Sequence, residues 1–64
     1  MKIEIIVYTI TGIHPTNGLT TIDKMFASID GEHDDVLHFV GWLTEDGVTD
    51  IIVTDAEGNQ IYPK

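Results

Sequence analysis

The 64 residues contain no cysteine and no arginine. Without cysteine the chain has no disulfide staple, no thiolate nucleophile and no cysteine-based zinc motif. Such a chain is compatible with a reducing compartment. No apolar run approaches the roughly 20 residues of a membrane-spanning helix. The start, Met1-Lys2-Ile3-Glu4, puts an acid inside a short apolar stretch and does not read as a signal peptide. A soluble, cytoplasmic chain is therefore expected, with no membrane partner.

Basic residues are almost missing. Eleven acids face three lysines, for a formal net charge of −8. Lys2 and Lys64 sit at the chain ends, only Lys24 lies inside, and from Met25 to Pro63 there is no Lys or Arg at all. Direct binding of nucleic acid or of an anionic membrane demands Lys or Arg, so neither is expected. The long-range field favours a basic partner instead.

Hydrophobic residues make up 42% of the chain, which suits one folded domain spanning 1–64. Lys2–Thr11 (KIEIIVYTIT) is β-branched and apolar on both sides, the pattern of a central strand. Gly12–Gly18 (GIHPTNG) is a loop, with Pro15 and Asn17-Gly18 as turn formers. In Thr20–Ile29, Ile22, Met25, Phe26 and Ile29 fall at i, i+3, i+4 and i+7, which predicts a helix stopped by Asp30-Gly31; a strand over Met25–Ile29 is the competing assignment. Val36–Leu43 (VLHFVGWL) is expected to be a strand, with Gly41 marking a bulge or a close backbone approach. Thr44–Gly47 predicts a hairpin turn, Val48–Thr54 a strand, Asp55–Gly58 a second turn and Gln60–Tyr62 a short edge strand. The expected fold is α+β: a small antiparallel-rich sheet in β-α-β-β-β order, with one helix packed on one face.

Nine acids occupy the basic-free stretch and gather at three turns: Asp30, Glu32, Asp34 and Asp35; Glu45 and Asp46; Asp55 and Glu57, with Asp50 between the last two groups. Consecutive meander turns alternate between sheet ends, so two acidic poles are expected, the stronger around Asp30–Asp35. Acids of this density either keep a small chain in solution or meet a basic partner. Trp42 lies close to Glu45 and Asp46. As the only tryptophan of a small domain it suits the core; as an aromatic ringed by acids it suits an interface anchor.

His33, Asp34, Asp35 and His38 contain metal-ligating groups, but their spacing matches no standard motif. A polar turn is the better account, and no metal or cofactor is expected. His38 lacks a triad context, and so does Ser28, the only serine. The Gly12–Gly18 loop lacks the lysine and glycine spacing of a P-loop. No catalytic residue is assigned, and the chain is not expected to be an enzyme.

From Gly31 to Asn59 the chain alternates acidic turns (GEHDD, TEDG, DAEGN) with expected strands (VLHFVGWL, VTDIIVT). In composition and layout it resembles small acidic phage-encoded inhibitors that mimic DNA, such as uracil-DNA glycosylase inhibitors and anti-CRISPR or anti-restriction proteins. It also looks like the immunity proteins and antitoxins that cap basic nucleases. The resemblance implies a non-enzymatic protein that inhibits or masks a basic, nucleic-acid-handling partner: a nuclease, glycosylase, polymerase or CRISPR-type effector. From the residues themselves, the expected contacts are Asp30, Glu32, Asp34, Asp35, Glu45 and Asp46, with Trp42. The rival expectation is a small structural or assembly module that forms a homodimer through a sheet edge.

Overall fold

Two 12-residue strands, β1 (Ile3–His14) and β2 (Gly18–Ile29), form a hairpin about as long as the molecule. The computed structural model describes residues 1–64 and measures 40 × 21 × 19 Å. At roughly 3.3 Å per residue such strands span ~40 Å, so the hairpin sets the long axis. A single helix, α1 (Asp34–Glu45), follows, then β3 (Thr49–Thr54) and β4 (Gln60–Tyr62). The sheet order is β2-β1-β3-β4 with every neighbouring pair antiparallel. The fold is thus α+β, with one helix against one face of an antiparallel sheet. The helix is not long and apolar enough to cross a membrane.

The helix stands elsewhere in the chain than the sequence pattern suggests. Thr20–Ile29 is strand, and Val36–Leu43 is helix. Two local forces explain the exchange. The three-residue turn Pro15-Thr16-Asn17, followed by Gly18 at φ 73°, closes a hairpin between His14 and Gly18, a common hairpin form with a left-handed residue after the turn. Once the hairpin is closed, β2 pairs with β1 along its whole length, from His14↔Gly18 to Ile3↔Ile29. The apolar residues of β2 then split by parity: Ile22 and Phe26 face the helix, while Leu19, Met25 and Ile29 face away. The i, i+3, i+4 spacing is a coincidence of two apolar sheet faces.

In the 34–45 segment, Val36, Val40 and Leu43 fall at i, i+4 and i+7, and all three are buried. Each such side chain gains about 1.5–3 kcal/mol on burial. Asp34 and Asp35 lie in the first turn, where the helix dipole favours negative charge. The C-terminus closes in a Schellman motif. The Val48 N–H donates to the Leu43 carbonyl and the Gly47 N–H to that of Thr44, each at 3.1 Å. Gly47 takes φ 93°, and Leu43 and Val48 meet in the core. The Asp46-Gly47 pair is a helix stop here, not a hairpin turn. Gly41 is an ordinary helical residue whose missing Cβ faces open space, so it marks neither a bulge nor a close approach.

The close approach is at Gly12. A Cβ there would lie 2.7 Å from Val48 Cγ1 and 3.3 Å from the Thr49 carbonyl oxygen, where the β1/β3 register shifts between Thr11 and Ile13. The core lies between helix and sheet, built from Tyr8 and Ile10 of β1, Val36, Val40 and Leu43 of α1, and Val48, Ile51 and Val53.

Candidate functional site

The helix carries both acidic clusters and holds them apart. Asp34 and Asp35 open it, and Glu45 and Asp46 close it. Twelve helical residues at about 1.5 Å each separate the two ends by ~18 Å. The two poles therefore exist, set by a helix and not by the turns of a meander. Asp55 and His33 belong to the first pole. The backbone N–H of Asn59 above all, and His33 least, hold the Asp55 carboxyl below its ordinary range.

The acids of the first pole have work inside the fold. The Asp30 N–H donates to the Lys2 carbonyl, and the Lys2 N–H returns a hydrogen bond to Asp30 Oδ1, each at 2.7 Å. This pair clamps the open end of the hairpin, with Asp30 at φ 53°. Asp34 and Asp35 stabilise the helix start. Asp55 Oδ1 accepts from the N–H groups of Glu57 and Asn59, and Oδ2 accepts from Asn59 Nδ2. These bonds, the backbone N–H of Asn59 first, push its pKa down. The Glu32 carbonyl accepts from the buried Ser28 hydroxyl at 2.7 Å, while its carboxylate is exposed.

The second pole has no such account. Glu45 and Asp46 sit at the negative end of the helix dipole, and no basic residue occupies the last turn. Their placement costs stability. Beside them is Trp42. It is 58% exposed, so the core assignment does not hold: the only tryptophan is a surface residue.

Trp42 is the outer end of an aromatic chain that starts in the core. Buried Tyr8 lies 6.1 Å from Phe26, Phe26 lies 5.4 Å from Phe39, and Phe39 stacks on Trp42 at 5.8 Å. Lys24 Nζ rests 5.0 Å from the centre of the Phe39 ring and 5.6 Å from that of Phe26. The one internal cation of the chain is thus held on these rings, which shows that the cluster accepts a cation. An open groove of about 530 Å³ runs along this side, lined by Phe26, Phe39 and Trp42 and flanked by Asp35, His38 and Glu45. The contribution of Phe26 and Phe39 was hidden in the sequence because it depends on the helix. Phe39 and Trp42 are three residues apart, which makes them neighbours only on a helix.

Two of the three histidines are occupied locally. His33 Nδ1 shares a hydrogen bond with the buried Tyr8 hydroxyl at 2.7 Å. His14 Nδ1 accepts the backbone N–H groups of Thr16 and Asn17 and so braces the β1–β2 turn. His38 is exposed at the groove. No three His, Asp or Glu side chains converge as metal ligands do.

Of the residues expected to meet a partner, the structure gathers Trp42, Glu45 and Asp46 at one helix end and Asp30, Glu32, Asp34 and Asp35 at the other. Asp35 alone of the second group reaches the aromatic groove. The segment VLHFVGWL, which the resemblance to acidic inhibitors takes as a strand, is the helix that carries the groove. No protein-family model matches the chain, and neither the curated proteins nor the solved structures provide a match.

Proposed function

We propose that this chain is a non-enzymatic binding protein whose helix docks a basic partner protein, with Trp42 as anchor and Glu45, Asp46 and Asp35 as charged flanks. The observation that carries this is the exposed Trp42 beside acids that weaken the helix end they occupy. An exposed aromatic supplies the apolar centre of a contact, and an acidic rim steers and pairs with Arg or Lys. The seat of Lys24 on Phe39 supports the same chemistry, since an incoming guanidinium would find the same rings. With no Lys or Arg from Met25 to Pro63, Lys24 is the one cation beside the groove. Within this proposal the partner handles nucleic acid, because proteins of that class carry large basic surfaces, and the chain inhibits it by covering that surface.

The single tryptophan makes the test direct. An arginine-rich peptide is titrated into the chain while Trp42 emission is followed, at low and at high salt. A saturable change that weakens steeply with salt, and that Glu45→Lys with Asp46→Lys removes, is expected. Emission that does not respond at low salt, or a response unchanged at high salt, would overturn the proposal. Capture of basic proteins from lysate by the native chain, lost in Trp42→Ala, would extend the result to the natural partner.

A further inference from the structure

The sheet has two faces, and the helix covers only one. On the far face the β1–β2 register builds rows: Ile3 beside Ile29, Ile5 beside Ala27, and Val7 beside Met25. Next come Thr9 beside Asp23, and Thr11 beside Thr21 and Ile52. The last row sets Ile13 beside Leu19. Ile5 is 66% exposed, Met25 65% and Leu19 78%, and the other large aliphatics of these rows are exposed as well.

These eight large aliphatics are 42–78% exposed, which with main chain included gives roughly 800 Å² of accessible surface, about what each partner buries in a standard interface. The charge pattern agrees. A chain of net charge −8 repels its own copies unless the charges stay out of the contact. The rows of this face hold a single carboxylate, Asp23, and Thr9 Oγ1 donates a hydrogen bond to it at 2.8 Å. The helix acids lie across the sheet. Only ten residues of the chain are buried, so a domain of this size gains from any further apolar cover.

We infer that the face of β1, β2 and β3 opposite the helix is a self-association surface, and that its occupant is the same face of a second copy. Two such sheets stack about 10 Å apart, as in a β-sandwich, with the acidic helices turned outward on both sides. This differs from pairing through a strand edge: here side chains make the contact, and backbone hydrogen bonds do not.

The test is sedimentation velocity of the full chain from low micromolar to near-millimolar concentration, with Val7→Asp and Met25→Asp. Both positions are exposed and lie outside the core, and far-UV circular dichroism reports whether each variant keeps the fold. The native chain is expected at twice 7.1 kDa. Each folded variant is expected as a monomer, its dissociation constant raised roughly a hundredfold or more by the unpaired charge it would bury. Trp42→Ala should leave the dimer intact, which separates this surface from the helix groove. A native chain that stays at 7.1 kDa throughout would overturn the inference. A dimer that survives both substitutions would also overturn it, by moving the contact to a strand edge.

Discussion

Two glycines give opposite answers to the same substitution. Gly41 lies inside α1 with open space where a Cβ would stand and with no left-handed φ. Alanine there removes the entropic penalty of glycine in a helix, a gain of about 0.5–1 kcal/mol. Gly12 lies where β1 meets β3, and its new Cβ would fall 2.7 Å from Val48 Cγ1 and 3.4 Å from Ile51 Cγ1. Overpacking of this kind costs about 1–3 kcal/mol. The Thr49 carbonyl oxygen at 3.3 Å is backbone and yields less easily than a side chain. The two variants should therefore differ by roughly 1.5–4 kcal/mol, built from those same terms. For a domain of this size 1 kcal/mol moves Tm by about 4–8 °C, so Gly41→Ala should melt several degrees above the native chain and Gly12→Ala well below it. Urea unfolding followed by far-UV circular dichroism checks both, with the slope m unchanged. A loss of stability in Gly41→Ala would refute the helix over this segment, since a bulged strand with a close neighbour is where alanine would hurt. A neutral Gly12→Ala would refute the packing at the β1–β3 junction.

Glu45→Lys and Asp46→Lys should each stabilise the chain by about 0.3–1 kcal/mol at low salt, an effect that shrinks as salt rises; thermal melts at two ionic strengths check it, and destabilisation would refute the dipole argument. Tyr8 is held above its ordinary pKa of 10.0 by burial first and then by the carboxylates of Asp55 and Asp35. Its neutral form therefore contributes stability that is complete below pH 10.0 and lost as pH rises through the higher folded value. Alkaline unfolding should coincide with a Tyr8 phenolate signal that Tyr8→Phe lacks; ionisation of Tyr8 in the intact fold at its ordinary pKa would contradict this. Asp55 is shifted the other way, below 3.8, by the hydrogen bonds from Asn59 and Glu57. Its contribution is present above that ordinary value and lost as pH falls through the lower folded one, and a carboxyl titration by NMR with a midpoint at or above 3.8 would refute the turn geometry.

The class of fold was legible in the sequence, and so were β3 and β4, because Val48–Thr54 and Gln60–Tyr62 are bounded by turn residues on both sides. The exchange between Thr20–Ile29 and Val36–Leu43 was not resolved by apolar spacing. Both segments carry apolar residues on more than one side, and the hairpin signal at Pro15–Gly18 and the acidic start at Asp34-Asp35 were the features that decide between them. The acidic clusters were legible because they depend on where acids fall along the chain; what holds the two poles apart was not, because it is α1 and not a run of meander turns. The aromatic groove was not, because Phe26 comes from β2 and Phe39 and Trp42 from α1, and only the packing of helix on hairpin unites them.

The two proposed surfaces, the helix and the bare sheet face, lie on opposite sides of a thin molecule. Asp34, Asp35, Glu45 and Asp46 lie on or at the end of α1, and Asp23, the only carboxylate in the β1–β2 rows of the far face, is hydrogen-bonded to Thr9. Had the nine acids served solubility alone, the efficient place for some of them would be among Ile5, Val7, Met25 and Leu19, where the apolar surface is. None of the nine lies there; Asp34, Asp35 and Glu45 lie in α1 and Asp46 caps it, and the last two weaken its C-terminus. The same segregation makes the two surfaces compatible. A face-to-face pair would leave both Trp42 grooves open, and a basic partner with two sites in reach would then gain avidity from the doubled surface. A helix-side charge reversal should therefore abolish capture of the partner without changing the mass of the chain in solution, while Met25→Asp should halve that mass and weaken capture only through the lost second site.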